Sequence, residues 1–206
     1  MLEELESKLK EKMRKQHVPP RILLDRLRLI DEGSRRSGQY LDPNYLPFYY
    51  HLSGLISPRD VLHIGLELGL PSCCFLLGSK TASSITCFQR RFSGFYSPRI
   101  ALSNIKDVKG RKFPVEFYNG LIIDREMQDK MSVGFDLVLI TERMTPDELQ
   151  EVLDVVWGKL RMDGFIVADH MADKDKGGVF KNFCKGKGCS FVEISTRYGV
   201  SILQKS

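Results

Sequence analysis

From Arg59 onward the chain alternates short apolar runs with segments long enough to form helices. No other feature constrains the fold as strongly. The runs are Val61–Ile64, Ser84–Phe88, Phe113–Phe117, Phe135–Ile140 and Gly164–Ala168. Continuous apolar runs of this kind suit strands buried on both faces. Helical crossovers between them make the strands parallel and place helices on both sides of the sheet. Pro114, near the start of the third run, favours a strand entry or a sheet edge. Two more strand candidates, Ser190–Ser195 and Val200–Gln204, are separated only by Thr196, Arg197, Tyr198 and Gly199. So tight a connection predicts an antiparallel pair. The expected class is α/β, with a Rossmann-like, mostly parallel seven-stranded sheet that closes in a C-terminal antiparallel hairpin.

The region before Arg59 reads as helical, which divides the chain into an N-terminal extension, 1–58, and an α/β domain, 59–206. Leu2, Leu5, Leu9 and Met13 recur at helical spacing between charged residues, so an amphipathic helix should end before Pro19 and Pro20. Its narrow apolar stripe suits packing on the main domain, or else a homo-oligomer or larger assembly. A second helix is expected from Pro20, with Ile22, Leu23, Leu27 and Ile30 on one face and Gly33 as its stop. A third covers Asn44 to Leu55 and carries Tyr45, Phe48, Tyr49, Tyr50 and a structural His51. The clearest helix runs from Thr145 to Arg161. Leu149, Val152, Leu153, Val156 and Leu160 share one face, and Thr145, Pro146 and Glu148 spell a capping box. Gly177, Gly178, Gly186 and Gly188 suggest a mobile loop.

Composition sets the class of protein rather than its task. The chain has 206 residues, 42% hydrophobic and 28% charged, as expected of one soluble domain with a sizeable core. No apolar run is long enough to span a membrane, and the acidic, helical N-terminus is no secretory signal. A cytoplasmic or otherwise intracellular location is the default expectation. Cys73, Cys74, Cys87, Cys184 and Cys189 form no CxxC pair, which argues against a zinc site or a disulfide framework. The net charge of +5 is spread along the chain. A solvated surface explains it best, and a nucleic-acid partner is the alternative reading.

In an open parallel sheet, ligands bind beyond the carboxyl ends of the strands. The first strand leads there into His63, Gly65, Glu67 and Gly69. Gly65 suits a tight turn, and Gly69 suits close approach of a ligand or a helix. The second strand supplies Phe88 and Gln89, the third Asn119 and Gly120, and the fourth Thr141 and Glu142. The fifth supplies Asp169 and His170, a carboxylate and an imidazole able to bind a divalent metal or move a proton. The turn lacks the GxGxxG spacing of dinucleotide-binding dehydrogenases.

This order of features resembles the class I S-adenosylmethionine-dependent methyltransferases over roughly Arg59 to Ser206. VLHIGLELGLPS resembles their first motif, FDLVLITE the fourth-strand motif, LRMDGFIVADH the glycine turn and strand ending in Asp, and SFVEISTRYGVSILQKS the closing hairpin. GQYLDPNYLPFYYHL is similar to the lead-in of small catechol-type O-methyltransferases, which are metal-dependent. The resemblance implies S-adenosylmethionine against His63, Gly65, Glu67, Gly69, Phe88 and Gln89. It also implies a small-molecule hydroxyl acceptor, with Mg²⁺ on Asp169 and Glu142, and with Asp169, Glu142 and His170 as catalytic groups.

The match departs from the family pattern at several positions. His63 stands where the family has an acid, and Gln89 stands where an acid binds the ribose hydroxyls. In the metal set, Thr141 replaces the first Asp and His170 replaces an Asn. Glu142 substitutes for the missing acid only if the strand has ended by Thr141, because a one-residue shift turns a side chain to the other face. Each lost charge-assisted contact is worth roughly 1.5–3 kcal/mol. The alternative expectation is therefore a catalytically inactive methyltransferase-like domain, acting as a structural or interaction subunit.

Overall fold

The computed structural model describes residues 2–14, 45–66, 69–90, 98–131 and 134–206. The helix expected from Pro20 to Gly33 and the position Glu67 lie outside them. The elements are α1 (Leu2–Arg14), α2 (Tyr45–Ile56), β1 (Asp60–Ile64), α3 (Leu70–Gly78), β2 (Ser84–Gln89), α4 (Pro98–Lys109) and β3 (Val115–Asn119). There follow α5 (Arg125–Lys130), β4 (Phe135–Ile140), α6 (Pro146–Lys159), β5 (Leu160–Asp169), α7 (Lys174–Lys187), β6 (Phe191–Ile194) and β7 (Val200–Gln204).

The strands form one sheet in the order β3-β2-β1-β4-β5-β7-β6. β1 to β5 run parallel, and β7 pairs antiparallel with both β5 and β6. The apolar runs and the closing hairpin thus have the expected arrangement. β3, the strand that Pro114 precedes, is an edge. The sheet separates two apolar layers. One joins Leu2, Leu5 and Leu9 of α1 to α2, α3 and sheet residues such as Leu139 and Val167. The other joins α6 and α7 to residues such as Ile64, Phe88, Ile140 and Ile166. The stripe of α1 is consequently used inside this chain: Leu9 is fully buried, which is worth roughly 2 kcal/mol.

Helix α6 carries the full capping box. The Thr145 hydroxyl accepts from the Glu148 backbone N–H at 3.2 Å, and the Glu148 carboxylate accepts from the Thr145 N–H at 2.9 Å. The helix stops at Lys159, two residues before the expected Arg161, because Leu160 already begins β5. Arg161 instead bridges Asp136 at 2.7 Å and Asp60 at 2.9 Å, tying together the amino ends of three strands.

The glycines near residue 180 require a correction. Gly177, Gly178 and Gly186 lie within α7 rather than in a loop, and Gly188 is its left-handed C-cap with φ 67°. The apolar spacing of Phe180, Phe183 and Cys184 buries one helix face and overrides the low helical propensity of glycine. Cys73, Cys74 and Cys87 are fully buried thiols, as expected, and all five cysteines are free.

Candidate functional site

Strand register lines the candidate positions up in one row. Ile64 is level with Phe88 and with Ile140, and Ile140 with Ala168. The next residues, Gln89, Gly65, Thr141 and Asp169, therefore follow one another across the carboxyl edge of the sheet. Asn119 extends the row, being paired with Gln89. The strand order reverses between β1 and β4, so the middle of this row is the topological switch point.

At its centre the β1 turn is held by a buried polar relay. His63 is fully buried. Its Nδ1 lies 2.5 Å from Ser72 Oγ in α3, and its Nε2 lies 2.8 Å from Thr141 Oγ1. Thr141 donates its one hydroxyl proton to the Gly65 carbonyl at 2.8 Å. The Thr141 oxygen must then accept from Nε2–H, which leaves Nδ1 to accept from the Ser72 hydroxyl. Burial pushes the His63 pKa down to about 3, in accord with this neutral tautomer. Where an acid was expected by resemblance, a neutral imidazole thus ties β1, α3 and β4 together.

The two glycines are required by the chain itself. Gly65 has φ 95°, and a Cβ there would collide with the Glu142 backbone nitrogen and lie 2.7 Å from its Cα. Gly69 has φ 74° and caps α3, and its Cβ would sit 3.3 Å from the Ala101 carbonyl of α4. Close helix packing alone accounts for Gly69.

Two of the remaining cofactor candidates are also buried. Gln89 is buried at the end of β2. Phe88 points into the opposite layer and stacks on Tyr118, with ring centroids 5.0 Å apart. A crevice beside the switch point is lined by Ile64, Arg90, Ile122, Glu142, Met144 and Glu148, and its cavity volume is only about 10 Å³. That is room for one water, against the roughly 300–1,000 Å³ of a typical ligand pocket. Arg90 and Glu148 form an ion pair within its wall. Arg90 is legible in the sequence only as part of the basic pair Arg90-Arg91, and Met144 carries no signal beyond following a strand end.

The expected metal pair, Glu142 and Asp169, gains no third His, Cys, Asp or Glu ligand among the described residues. β4 ends at Ile140, so Thr141 and Glu142 are both past the strand. Glu142 nevertheless lines the crevice beside Ile64, on the α6 layer. Asp169 pairs with Val200 of the other layer. Asp169 Oδ1 accepts from the His170 backbone N–H at 2.7 Å. The Thr141 hydroxyl is spent on Gly65. Among the described residues no three His, Cys, Asp or Glu side chains converge.

At the end of β5 the chain reverses sharply, and His170 takes a left-handed φ of 65°. Its ring meets Tyr198 edge-on at 5.1 Å. Burial, reinforced by the positive charges of Arg143 and Lys176, lowers its pKa to about 4. His170 is therefore neutral at pH 7, suited to hydrogen bonding and too weak for a strong general base. Asp169 beside it, almost wholly buried, is the carboxylate of the row.

No family model and no curated protein matches the chain. Solved structures do. An O-methyltransferase from Bacillus cereus in complex with SAH is 14% identical with a TM-score of 0.70, the match covering 98% of this chain and 100% of that one. A SAH-bound methyltransferase from Podospora anserina is 13% identical with a TM-score of 0.68, covering 100% and 97%. The O-methyltransferase TomG of Streptomyces achromogenes, involved in tomaymycin synthesis and in complex with SAM, is 14% identical with a TM-score of 0.59, covering 77% and 78%. Similarity at this identity is similarity of fold, and the strand order observed here agrees with it. This chain has the fold of the class I S-adenosylmethionine-dependent methyltransferases.

Proposed function

We propose that this chain binds S-adenosylmethionine at the β1 turn and transfers its methyl group to the hydroxyl of a small molecule. One observation carries the reading. The row Gln89, Gly65, Thr141 and Asp169 sets a glycine turn and a buried carboxylate two strands apart across the switch point. The turn's backbone and the Gln89 amide offer neutral hydrogen-bonding partners to an adenosine. Asp169 supplies a negative charge where an acceptor hydroxyl would sit. The cofactor, when bound, supplies an electrophilic methyl group on a sulfonium. The methyl group would pass from that sulfur to the acceptor oxygen, and the Asp169 carboxylate would take up the displaced hydroxyl proton. Orientation is the main contribution such a site makes. Entry of a nucleoside needs the Arg90–Glu148 pair to part.

The test is calorimetric titration of the full chain with S-adenosylmethionine and S-adenosylhomocysteine, with and without Mg²⁺. Saturable binding of both that is indifferent to Mg²⁺ is expected. A flat titration with each of them rejects the reading. It would favour the second reading, a methyltransferase-fold domain that acts as a structural subunit. Two observations speak for that alternative: the crevice is nearly closed, and the chain's own packing explains both glycines. The structural comparisons lend it nothing.

A further inference from the structure

Helix α7 ends in a turn whose two facing positions are both cysteine. Gly188, left-handed at φ 67°, donates its N–H to the Lys185 carbonyl at 3.2 Å, and Cys189 donates its N–H to the Cys184 carbonyl at 3.0 Å. These two bonds form the Schellman pattern, in which the residue after the left-handed cap lies against one in the last turn of the helix. An apolar contact often fills that space. Here two thiols do. Cys184 and Cys189 belong to the same apolar layer, and Cys189 Sγ lies 3.7 Å from the Cys184 carbonyl oxygen.

The spacing suits a covalent link. With standard bond lengths, the 3.0 Å hydrogen bond holds the two Cα atoms within about 7 Å, and any bend in that path brings them closer. Disulfides span Cα separations of roughly 4.4–6.8 Å. Access is graded as well: Cys184 is buried, whereas Cys189 is partly exposed. Cys73, Cys74 and Cys87 are wholly buried, and neighbours in sequence such as Cys73 and Cys74 do not face each other on a helix. Burial, and after it the Cys189 thiol alongside, push the Cys184 thiol up to about 12, and burial raises Cys189 too. Attack at neutral pH is therefore slow. The position of equilibrium depends instead on how well the fold holds the two sulfurs together.

We propose that Cys184 and Cys189 are a redox pair that closes a disulfide across the end of α7 when a low-molecular-weight disulfide oxidises it. Cys189 loses its proton and attacks one sulfur of the oxidant. That sulfur–sulfur bond breaks, one thiolate leaves, and a mixed disulfide stands on Cys189. Cys184 loses its proton in turn and attacks the Cys189 sulfur, which expels the second thiolate and completes the protein disulfide. The two departing thiolates take up the two protons. Two protein thiols are oxidised, and one small disulfide is reduced to two thiols. The new bond fixes the exit of α7 towards β6, and it does not depend on the function proposed above.

The experiment equilibrates the full chain, native and in urea, with fixed glutathione and graded glutathione disulfide, followed by acid quenching, alkylation and trypsin. Cleavage after Lys181, Lys185, Lys187 and Arg197 parts the two cysteines, so the bond is read by mass spectrometry as peptide 182–185 linked to peptide 188–197. The native chain should need at least about tenfold less glutathione disulfide than the chain in urea, because the turn has already closed the loop. Cys184→Ser should keep glutathione on Cys189, and Cys189→Ser should leave native Cys184 unmodified. Circular dichroism should be the same before and after oxidation. Absence of the linked peptides from the native chain, or formation no easier than in urea, would overturn the proposal. So would a link found only in a dimer band on a non-reducing gel.

Discussion

His63 of β1 and Thr141 beyond β4 meet at 2.8 Å inside the sheet, and through the threonine hydroxyl the histidine holds the carbonyl of Gly65. The contact needs a neutral ring, because a second ring proton would displace the Ser72 hydroxyl proton from Nδ1. It therefore makes the β1 turn dependent on pH.

The sign of that dependence is fixed. The folded pKa of His63 is about 3, below the ordinary value of about 6.5 for an unfolded chain. Above pH 6.5 the contribution is fully present. Between there and about pH 3 the unfolded chain takes up a proton that the folded chain refuses. Stability should then fall by up to about 1.4 kcal/mol per pH unit from this group. Urea denaturation at intervals from pH 7.5 to 5 measures it, and His63→Gln should give a flatter profile. Parallel profiles for the two proteins would refute the assignment.

Gly65 and Gly178 should respond in opposite directions to alanine. Gly65→Ala places a Cβ against the Glu142 backbone at φ 95°, with nothing flexible to yield. A loss of about 2 kcal/mol or more is expected. Gly178 lies within α7 with open space around it, so Gly178→Ala should gain roughly 0.5–1 kcal/mol. Chemical denaturation of the two variants tests the pair.

Thr145→Ala removes the acceptor for the Glu148 N–H at the start of α6. About 1 kcal/mol of stability should go with it. Glu148→Gln is the informative contrast, because glutamine still serves the cap while the ion pair to Arg90 is lost. Its stability should stay within about 0.5 kcal/mol of the parent. Cofactor binding should tighten if the Arg90 ion pair closes the crevice. Unchanged or weaker binding of S-adenosylhomocysteine by Glu148→Gln would show that the pair is no barrier.

Asp169→Asn keeps an oxygen for the His170 N–H but cannot accept the acceptor's proton. Methyl transfer should drop by roughly 10²–10⁴-fold, with S-adenosylhomocysteine affinity unchanged. Single-turnover assays paired with calorimetry distinguish this from a folding defect, which would lower both.

Most of the fold was legible because it rests on period and length. Five apolar runs and one tight four-residue connection carry the strand count and directions. The α6 cap was readable because its three residues are local in sequence. The site was harder to read, because its contacts join residues far apart. His63 meets Ser72 nine positions away and Thr141 seventy-eight positions away. No spacing rule announces such a relay. The Glu142 expectation hinged on which layer a residue just beyond a strand would face, a question of a single step in the pleat. Gly177 and Gly178 misled because glycine signals a loop only where no apolar stripe claims the segment.

Helix α1 packs against α2 and against β6. Helix α1 is therefore made well before part of its binding surface, which comes with β6. At roughly 5–20 residues per second, Leu2, Leu5 and Leu9 wait on the order of 10–40 s before Val192 and Ile194 can cover them. During that interval the nascent chain displays a leucine stripe with only part of its partner present. Cotranslational chaperone engagement should fall on this helix, and emergence of β6 should be the event that completes its docking.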